Sequence, residues 1–429
     1  MASDLQKGCA KKMQGSTLDM ISGLPHNVIE EILMRMPIQD AVKTSVLSKK
    51  WRFAWVTLPR LVFDDAFYIE SRRTLEMLMM TIGRVLLQHR GPILKFELSL
   101  SELESCPMMD QLILFLSKNG IQEFILQLPA AVSPTGGRYS LSSSIFSCLQ
   151  LKHLKLRNCL FNPPLGFEGF SGLLSLELEE VSITSEVISS LISTCPLLEE
   201  LRLVNCTSFG YLEVIAPNLT CLNFEGRFDA ICYKNTPHLA RVTVFLFDSV
   251  IGEDISKWVA FFSGLPAIEF LELNYGCFEL ISAGRIPRRL AINLTHLKIL
   301  KLFAMYLEDA NEVSSVLCLI RSAPNLEKIV ILAYTDDEFE VDEPVLKPLE
   351  EQGWWDISLN RLREVELQPT SDKGFQLEFI KVLLATSPVL EKMVIDLSSL
   401  PFLETNRFLK EVAQFERLSP LAEVSYDAI

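Results

Sequence analysis

The sequence predicts an α/β chain in which a small helical module precedes a long solenoid of repeats. Two observations predict the solenoid: a six-residue apolar template recurs through most of the chain, and a proline precedes many copies at a fixed distance. A third observation separates the module, because residues 1–60 carry 9 Lys or Arg and 5 Asp or Glu, whereas the rest carries 31 and 49. We therefore expect a basic unit in front of an acidic body.

Composition excludes several classes of protein. Hydrophobic residues make up 49% of the 429 positions, which is too apolar for a disordered chain. A net charge of −14 argues against non-specific binding to nucleic acid or to anionic membranes. No apolar run approaches the roughly 18 residues of a membrane span, and the first residues lack the apolar core of a secretory signal. We expect an intracellular protein of the nucleus or cytoplasm, with its ten cysteines reduced.

The recurring template is L-x-x-L-x-L, with Ile, Val, Phe or Met allowed at the Leu positions. Ten clear copies begin at Leu151, Leu173, Leu198, Leu219, Leu239, Ile268, Leu297, Leu326, Leu362 and Leu390. Weaker copies begin at Ile93 and Ile121. Six copies have a proline two residues before the template, at Pro196, Pro217, Pro237, Pro266, Pro324 and Pro388. Because proline ends a helix and favours extended geometry next to it, each unit is expected to run from an outer segment into a short strand.

Repeats of this kind predict a leucine-rich-repeat solenoid, which we place at residues 65–344. The strands are expected to stack into a curved parallel sheet, with outer segments of helical spacing, such as Val187 to Ile192, on the convex side. A globular α/β domain with chance matches is the alternative, and the shared proline position argues against it. Intervals between copies range from 20 to 36 residues, so we expect loop insertions, above all between 332 and 361.

Residues 21–64 predict three short helices around a small core. The first is predicted by apolar residues at helical spacing, which are Val28, Ile29, Ile32, Leu33 and Met36. Pro37 ends it, Ile38 begins the second, and Ser48 is the expected N-cap of a third that carries Trp51 and Trp55 on one face. A module of this size cannot bury so many apolar side chains. Some apolar surface should therefore remain exposed, which indicates a protein partner.

These residues resemble the plant form of the F-box motif. The matching elements are Leu24-Pro25, Ile32-Leu33, Met36-Pro37, the segment from Val46 to Arg52, and Trp55 with Leu58-Pro59. The resemblance implies that residues 19–64, behind a flexible segment of residues 1–18, dock on the Skp-type adaptor of a cullin-based ubiquitin ligase. Carried over by position, the residues that contact the adaptor or form the core below it are Leu24, Pro25, Ile29, Ile32, Leu33, Leu47 and Trp51.

Residues 345–429 resemble the FBD domain that follows F-box and leucine-rich repeats in plant proteins. The resemblance rests on the segments 362–365, 378–384 and 387–393. Repeat arrays need closed ends, so we expect a capping region here, with a dedicated binding site as the alternative. Trp354 and Trp355 lie in an acidic insertion and are expected to anchor it or to bind a partner.

The sequence shows no catalytic or metal-binding motif. It lacks G-x-S-x-G, a Walker loop, G-x-G-x-x-G and C-x-x-C, and none of its five histidines has a catalytic spacing to Cys, Ser or Asp. We therefore expect a non-catalytic protein with no metal and no cofactor. His238 and His296 directly precede the first Leu of a repeat, where a hydrogen bond within a turn is expected.

The concave side of the solenoid is expected to bind a target protein. Residues two, four and six positions after the first Leu of each copy alternate with the buried ladder and face that side. In the middle copies they form an apolar strip with charges beside it, and the candidate contacts are Arg241, Phe245, Phe270, Glu272, Lys301 and Phe303. Cover of this strip by a loop or by the C-terminal region is the alternative.

Together these expectations describe the substrate-recognition subunit of an SCF-type ubiquitin ligase. The F-box would hold the Skp-type adaptor and through it the cullin, and the repeats would hold an unidentified target protein, with neither nucleic acid nor membrane as a partner. Transfer would follow from the effective concentration of a tethered target. Two alternatives stay open: a scaffold that binds without leading to degradation, and a small-molecule co-receptor, which the acidic body disfavours.

Overall fold

The structure is a computed structural model of the 429-residue chain. It describes residues 21–427 except for positions 22, 72–73, 104–107, 130–137, 208, 248–260, 263, 283–286, 307–309, 335–356, 358, 371–374 and 401. The predicted flexible segment 1–18 and the pair Trp354 and Trp355 therefore lie outside the described residues. No helix in the described ranges is long and apolar enough to cross a bilayer.

Two α-helices and two 3₁₀ turns form the N-terminal module. Helix α1 (His26–Met34) begins after Pro25, and α2 (Ile38–Lys43) begins after Pro37. The 3₁₀ turns are Thr44–Val46 and Ala54–Thr57. A proline lacks the N–H that a helix interior needs but is tolerated at a helix start, which explains where both helices begin. The first two predicted helices are confirmed.

The predicted α-helix beginning after Ser48 is wrong. Ser48 has no regular structure, residues 49–53 are turns, and only the 3₁₀ turn Ala54–Thr57 follows them. The Ser48 hydroxyl is buried and has no hydrogen-bond partner among the described residues, so it caps nothing. This segment is rich in aromatic and β-branched side chains, which lose rotamer freedom in a helix. Burial of both Trp51 and Trp55 in the core outweighs the remaining helix propensity.

The solenoid is one parallel sheet, which has fourteen strands in the described part of the chain. Its strands are β1 (Arg60–Asp64), β2 (Lys95–Ser99), β3 (Glu123–Gln127), β5 (His153–Arg157), β7 (Ser175–Glu179), β8 (Glu200–Val204), β10 (Cys221–Gly226), β12 (Arg241–Leu246), β13 (Phe270–Asn274), β14 (Ile299–Met305), β15 (Lys328–Ala333), β16 (Glu364–Gln368), β17 (Lys392–Asp396) and β18 (Glu423–Asp427). Strand order in the sheet follows the chain, so the predicted parallel sheet is confirmed.

The two faces of this sheet differ in burial. The second and fourth residues of the strands form the apolar ladder and are buried in every strand of this sheet except β18, where Tyr426 is exposed. In β5 and β7 the ladder residues pair in register, Leu154 beside Leu176 and Leu156 beside Leu178. The first, third and fifth residues point to the other side and are mostly half-buried or exposed. We call this side the open face, and it carries the residues predicted for the concave side.

Outer segments connect the strands. Their helices are α3 (Asp65–Ser71), α4 (Leu75–Gln88), α5 (Met109–Ser117), α6 (Ser185–Ser193), α7 (Tyr275–Ser282), α8 (Ala310–Ser322), α9 (Phe375–Thr386) and α10 (Phe402–Val412). Two small parallel sheets replace helices elsewhere, β4 (Tyr139–Ser140) with β6 (Cys159–Leu160), and β9 (Phe209–Ile215) with β11 (Phe228–Lys234). The sheet of β9 and β11 lies where the template intervals are shortest, at 21 and 20 residues. Such short intervals favour extended outer segments over helices.

A residue in the left-handed region recurs at one position of the repeat. Asn158, Glu180, Asn205, Gly226 and Ala304 each lie seven residues after the first template residue and have φ between 48° and 149°. Asparagine and glycine tolerate this region better than other residues. After Asn158, Glu180 and Asn205 the chain has left the sheet, whereas Gly226 ends β10 and Ala304 lies at an irregularity inside β14.

Both ends of the sheet extend beyond the ten clear copies of the template. At the start, Leu58, Leu61 and Phe63 fit the template inside the predicted F-box segment, and β1 forms there. At the end, β16 and β17 carry the last two copies and β18 continues the same sheet beyond them, in the region that resembles the FBD domain. The described residues of that region therefore share one sheet with the repeats.

Candidate binding surfaces

The N-terminal module has a buried core and an apolar exterior. Ile29 and Leu33 of α1 are fully buried, together with Trp51 and Trp55 from the turns. The apolar side chains that remain exposed include Val46 (88% exposed), Phe53 (66%), Leu47 (47%), Val28 (37%) and Ile32 (36%). Exposed apolar side chains in such number on a small module are typical of a protein interface.

The seven residues predicted to contact an adaptor, or to support that contact, divide between these two environments. Ile29, Leu33 and Trp51 belong to the core, and Leu24 is half-buried against it. Pro25, Ile32 and Leu47 are exposed. Val46 and Phe53 are more exposed than Ile32 and Leu47. The sequence signal that could have identified both is their place in a segment with the charged residues Lys49, Lys50 and Arg52, which the structure shows to be exposed.

Trp51 fixes the entry of the chain into α1. Its indole Nε1 donates a hydrogen bond to the carbonyl oxygen of Ile21 at 3.2 Å. The bond ties the segment before Leu24 and Pro25 to the core of the module. Trp55 is only 7% exposed and lies in the core as well.

The module packs directly on the first repeats. The backbone N–H of Arg90 donates to the carbonyl oxygen of Val56 at 2.7 Å, and Gln39 of α2 donates to the Glu70 carboxylate of α3 at 3.0 Å. Lys43 also bonds Glu70, which lowers the pKa of that carboxyl and raises the pKa of the lysine. Module and solenoid are therefore joined by backbone and side-chain bonds.

The open face brings the predicted target-binding residues together on three adjacent strands. Arg241 and Phe245 lie on β12, Phe270 and Glu272 on β13, and Lys301 and Phe303 on β14. The guanidinium carbon of Arg241 lies 4.7 Å from the centre of the Phe270 ring, and the Lys301 ammonium lies 5.6 Å from it. We call these six residues the central cluster.

The two other phenylalanines of the central cluster contact each other. The rings of Phe245 and Phe303 have centroids 5.7 Å apart at an interplanar angle of 61°, although β13 lies between their strands. Asn274, the register partner of Phe303, is buried there and exchanges two 2.9 Å hydrogen bonds with the backbone of Leu246. Residues that extend the apolar area are Ile299, Val330 and Leu332 on the same face.

The described residues contain no group of three His, Cys, Asp or Glu side chains that could hold a metal ion. Burial raises the pKa of the Cys159 and Cys277 thiols to about 12, which keeps them protonated and unreactive near neutral pH. The Nδ1 atom of His296 lies 3.2 Å from the carbonyl oxygen of Pro266, in a turn of the preceding repeat. Within its own turn the same Nδ1 atom lies 3.3 Å from the Thr295 hydroxyl, the local contact that the sequence predicts, so His296 also joins two repeats.

Two family descriptions match the chain. The F-box domain matches residues 21–63, and the family described as "FBD-associated F-box protein At5g56370, LRR repeats" matches residues 109–331. The F-box match covers the exposed apolar set, and the repeat match covers the central cluster.

Individual proteins are similar over most of the chain. The Arabidopsis thaliana "F-box/FBD/LRR-repeat protein At1g13570" is 39% identical over 425 residues, which cover 96% of this chain and 99% of that protein. The "FBD-associated F-box protein At4g10400" of the same plant is 27% identical and covers 75% of this chain and 79% of its own length. A crystal structure of an internalin from Listeria monocytogenes aligns over 95% of this chain and 94% of that chain, with 11% identity and a TM-score of 0.36.

Proposed function

The chain belongs to the plant F-box/FBD/LRR-repeat family, and from this premise we propose that it is the substrate-recognition subunit of an SCF-type ubiquitin ligase. In this proposal the F-box binds a Skp-type adaptor, the adaptor connects the chain to a cullin, and the repeats hold a target protein. The chain then needs no catalytic residue, because a target held near the charged ubiquitin carrier reacts at a high effective concentration.

The observation that carries the proposal is that exposed apolar side chains of the F-box stand on a well-packed core. Val46, Leu47 and Phe53 project from turns whose backbone is held by the buried Trp51 and Trp55. Rigid aromatic and aliphatic anchors of this kind supply most of the binding energy in protein interfaces. We propose Pro25, Ile32 and Leu47, with Val46 and Phe53, as adaptor contacts, and Leu24, Ile29, Leu33 and Trp51 as their support.

The arrangement also suits presentation of a target. Hydrogen bonds across the junction fix the F-box to β1 and to the helices that follow it, so motion between adaptor and repeats would be restricted. We propose the central cluster as the target-binding surface. An intracellular site of action, in the nucleus or the cytoplasm, is supported by the eight free thiols among the described cysteines.

Co-expression with a Skp-type adaptor tests the first half of the proposal. Wild type should co-purify with the adaptor as a one-to-one complex on size exclusion, and a Val46→Asp, Phe53→Asp variant should not. Leu87→Asp is the matched control, since Leu87 of α4 is 79% exposed and lies outside the F-box. Circular dichroism should show all three folded. A wild type that forms no complex would refute the ligase role and leave a scaffold that binds partners through its repeats.

A further inference from the structure

Ion pairs within the chain neutralise some of the cations on the open face. Four of them form ion pairs with nitrogen–oxygen distances of 2.6 to 3.5 Å. These pairs join Lys95 to Glu97 and Glu123, Lys155 to Glu177, Arg157 to Glu179 and Glu180, and Lys328 to Glu364 and Glu366. Because each cation already has a carboxylate, these parts of the face attract a charged partner weakly.

The central cluster differs, because its two cations have no carboxylate partner among the described residues. Glu272 is the register partner of Lys301 on the adjacent strand, but its carboxylate accepts a 2.8 Å hydrogen bond from the Thr243 hydroxyl instead. Arg241 and Lys301 both stand over the Phe270 ring. A cation over phenylalanine is held only weakly at an exposed site, so the N–H donors of Lys301, and those of Arg241 that do not engage the Cys221 thiol, remain for an anion.

Other cations on the face lack this setting. Arg60, Arg202 and Lys392 also form no ion pair with a described residue, but none of them stands over an aromatic ring in the described part of the chain. Among the described residues, it is at Phe270 that two such cations meet beside a continuous apolar area, formed by Phe245 and Phe303 with their neighbours. Two cations beside an apolar surface favour a partner that carries both negative charge and an apolar side chain.

The spacing of the two parts sets the length of the partner. Phe270 is the first residue of β13. Phe245 and Phe303 lie on the neighbouring strands level with its last residue, which is four positions after Phe270. At about 3.3 Å per residue this is roughly 13 Å, the length of four extended residues. One acidic side chain at the Phe270 end and one large apolar side chain at the other end would reach both parts.

We infer that the target segment bound by this chain is an extended acidic–apolar peptide. It carries one or two Asp or Glu residues that bind Arg241 and Lys301, and a large apolar side chain three or four residues away that packs on Phe245 and Phe303. The inference rests on the proposed function, since it names the class of target that the repeats would hold. Arg241 supplies several donors in a planar group, which suits a carboxylate.

A random twelve-residue peptide library displayed on phage tests the inference with the full-length chain as bait. Enriched peptides should carry Asp or Glu three or four residues from Phe, Leu, Ile, Met or Trp. The Arg241→Ala, Lys301→Ala variant should not recover them, whereas Lys392→Ala, which removes a charge at the far end of the same face, should. Enriched peptides without acidic residues, equal recovery by the double variant, or no enrichment at all would overturn the inference.

Affinities of one enriched peptide then separate charge from packing. Fluorescence anisotropy measures the dissociation constant of the labelled peptide. Replacing the acidic residues of the peptide with Asn or Gln should weaken binding about tenfold. The Glu272→Gln variant of the chain should bind the unchanged peptide about two- to fivefold more tightly, because a carboxylate that repels the peptide is removed. An unchanged affinity in the first comparison would overturn the inference. Adaptor binding measured on the same preparation is independent: if it succeeds while these arms fail, the ligase role stands and only the target class is wrong.

Discussion

Phe245 and Phe303 lie two strands apart and still meet edge to face, with 5.7 Å between their ring centres. Strands two places apart are separated by roughly 9.5 Å, so the two side chains lean towards each other across β13. Buried Asn274 holds the ends of β12 and β13 together beside this contact. The pair is therefore a preformed apolar platform on the open face.

A double-mutant cycle on this pair should reveal direct coupling. Phe245→Ala and Phe303→Ala, alone and together, are expected to give an interaction free energy of about 0.5–1.5 kcal/mol, because tilted aromatic contacts contribute that much beyond burial. Urea denaturation followed by circular dichroism measures it. Additive losses within about 0.3 kcal/mol would show that the rings do not stabilise each other in solution.

Trp51 should be a stability residue. Replacing it with Ala removes a buried ring and its hydrogen bond to Ile21, and we expect a loss of about 3–5 kcal/mol in the free energy of unfolding. Val46→Ala, at a side chain 88% exposed, should change that free energy by no more than about 0.5 kcal/mol. Equal losses in the two variants would contradict the division of the F-box into core and surface.

Gly276 of α7 should not tolerate a side chain. A Cβ at this position would clash with the carbonyl oxygen of Leu246, whose backbone is bonded to Asn274. We expect Gly276→Ala to cost about 1–3 kcal/mol by thermal or urea unfolding. Gly83→Ala is the control, since its Cβ would meet only the flexible end of Met108 and alanine favours helix α4. A Gly276→Ala variant as stable as the control would refute this packing.

Buried thiols should resist alkylation in the native chain. Burial raises the pKa of Cys159 and Cys277 to about 12, so at pH 8 both stay protonated, and the thiolate is the reactive form. Iodoacetamide labelling read peptide by peptide with mass spectrometry should be slow at both residues and become fast in concentrated urea. Native labelling as fast as labelling of the unfolded chain would mean that these repeats open readily.

The repeat pattern was sufficient to predict the parallel sheet, because a ladder of apolar residues at fixed spacing has few ways to be buried. Even the weak copies at Ile93 and Ile121 lead into strands β2 and β3. The strand β1 was harder to predict, since Leu58, Leu61 and Phe63 end the F-box motif and begin the sheet at the same time. Propensity misled at Ser48, where burial of two tryptophans decides the local conformation.

The central cluster could be predicted as a set but not as a geometry. Alternation along the strands puts Arg241, Phe270 and Lys301 on one face. Sequence alone could not show that Glu272 turns to Thr243 and leaves Lys301 over the ring, because that choice depends on side-chain rotamers and on neighbours from another repeat. The same limit applies to the F-box, where helical spacing placed Ile29 and Ile32 together and only the fold separates core from surface.

The most direct test of the account is the dissociation constant between the full-length chain and a Skp-type adaptor, measured by calorimetry. We predict a one-to-one complex that Leu47→Ala combined with Phe53→Ala weakens about tenfold or more, because anchors at an interface contribute over about 1 kcal/mol each. Leu87→Ala should stay within about twofold of wild type, as expected for an exposed side chain outside the interface. No measurable complex with wild type, or equal weakening by Leu87→Ala, would contradict the claim that this apolar surface of the F-box binds the adaptor.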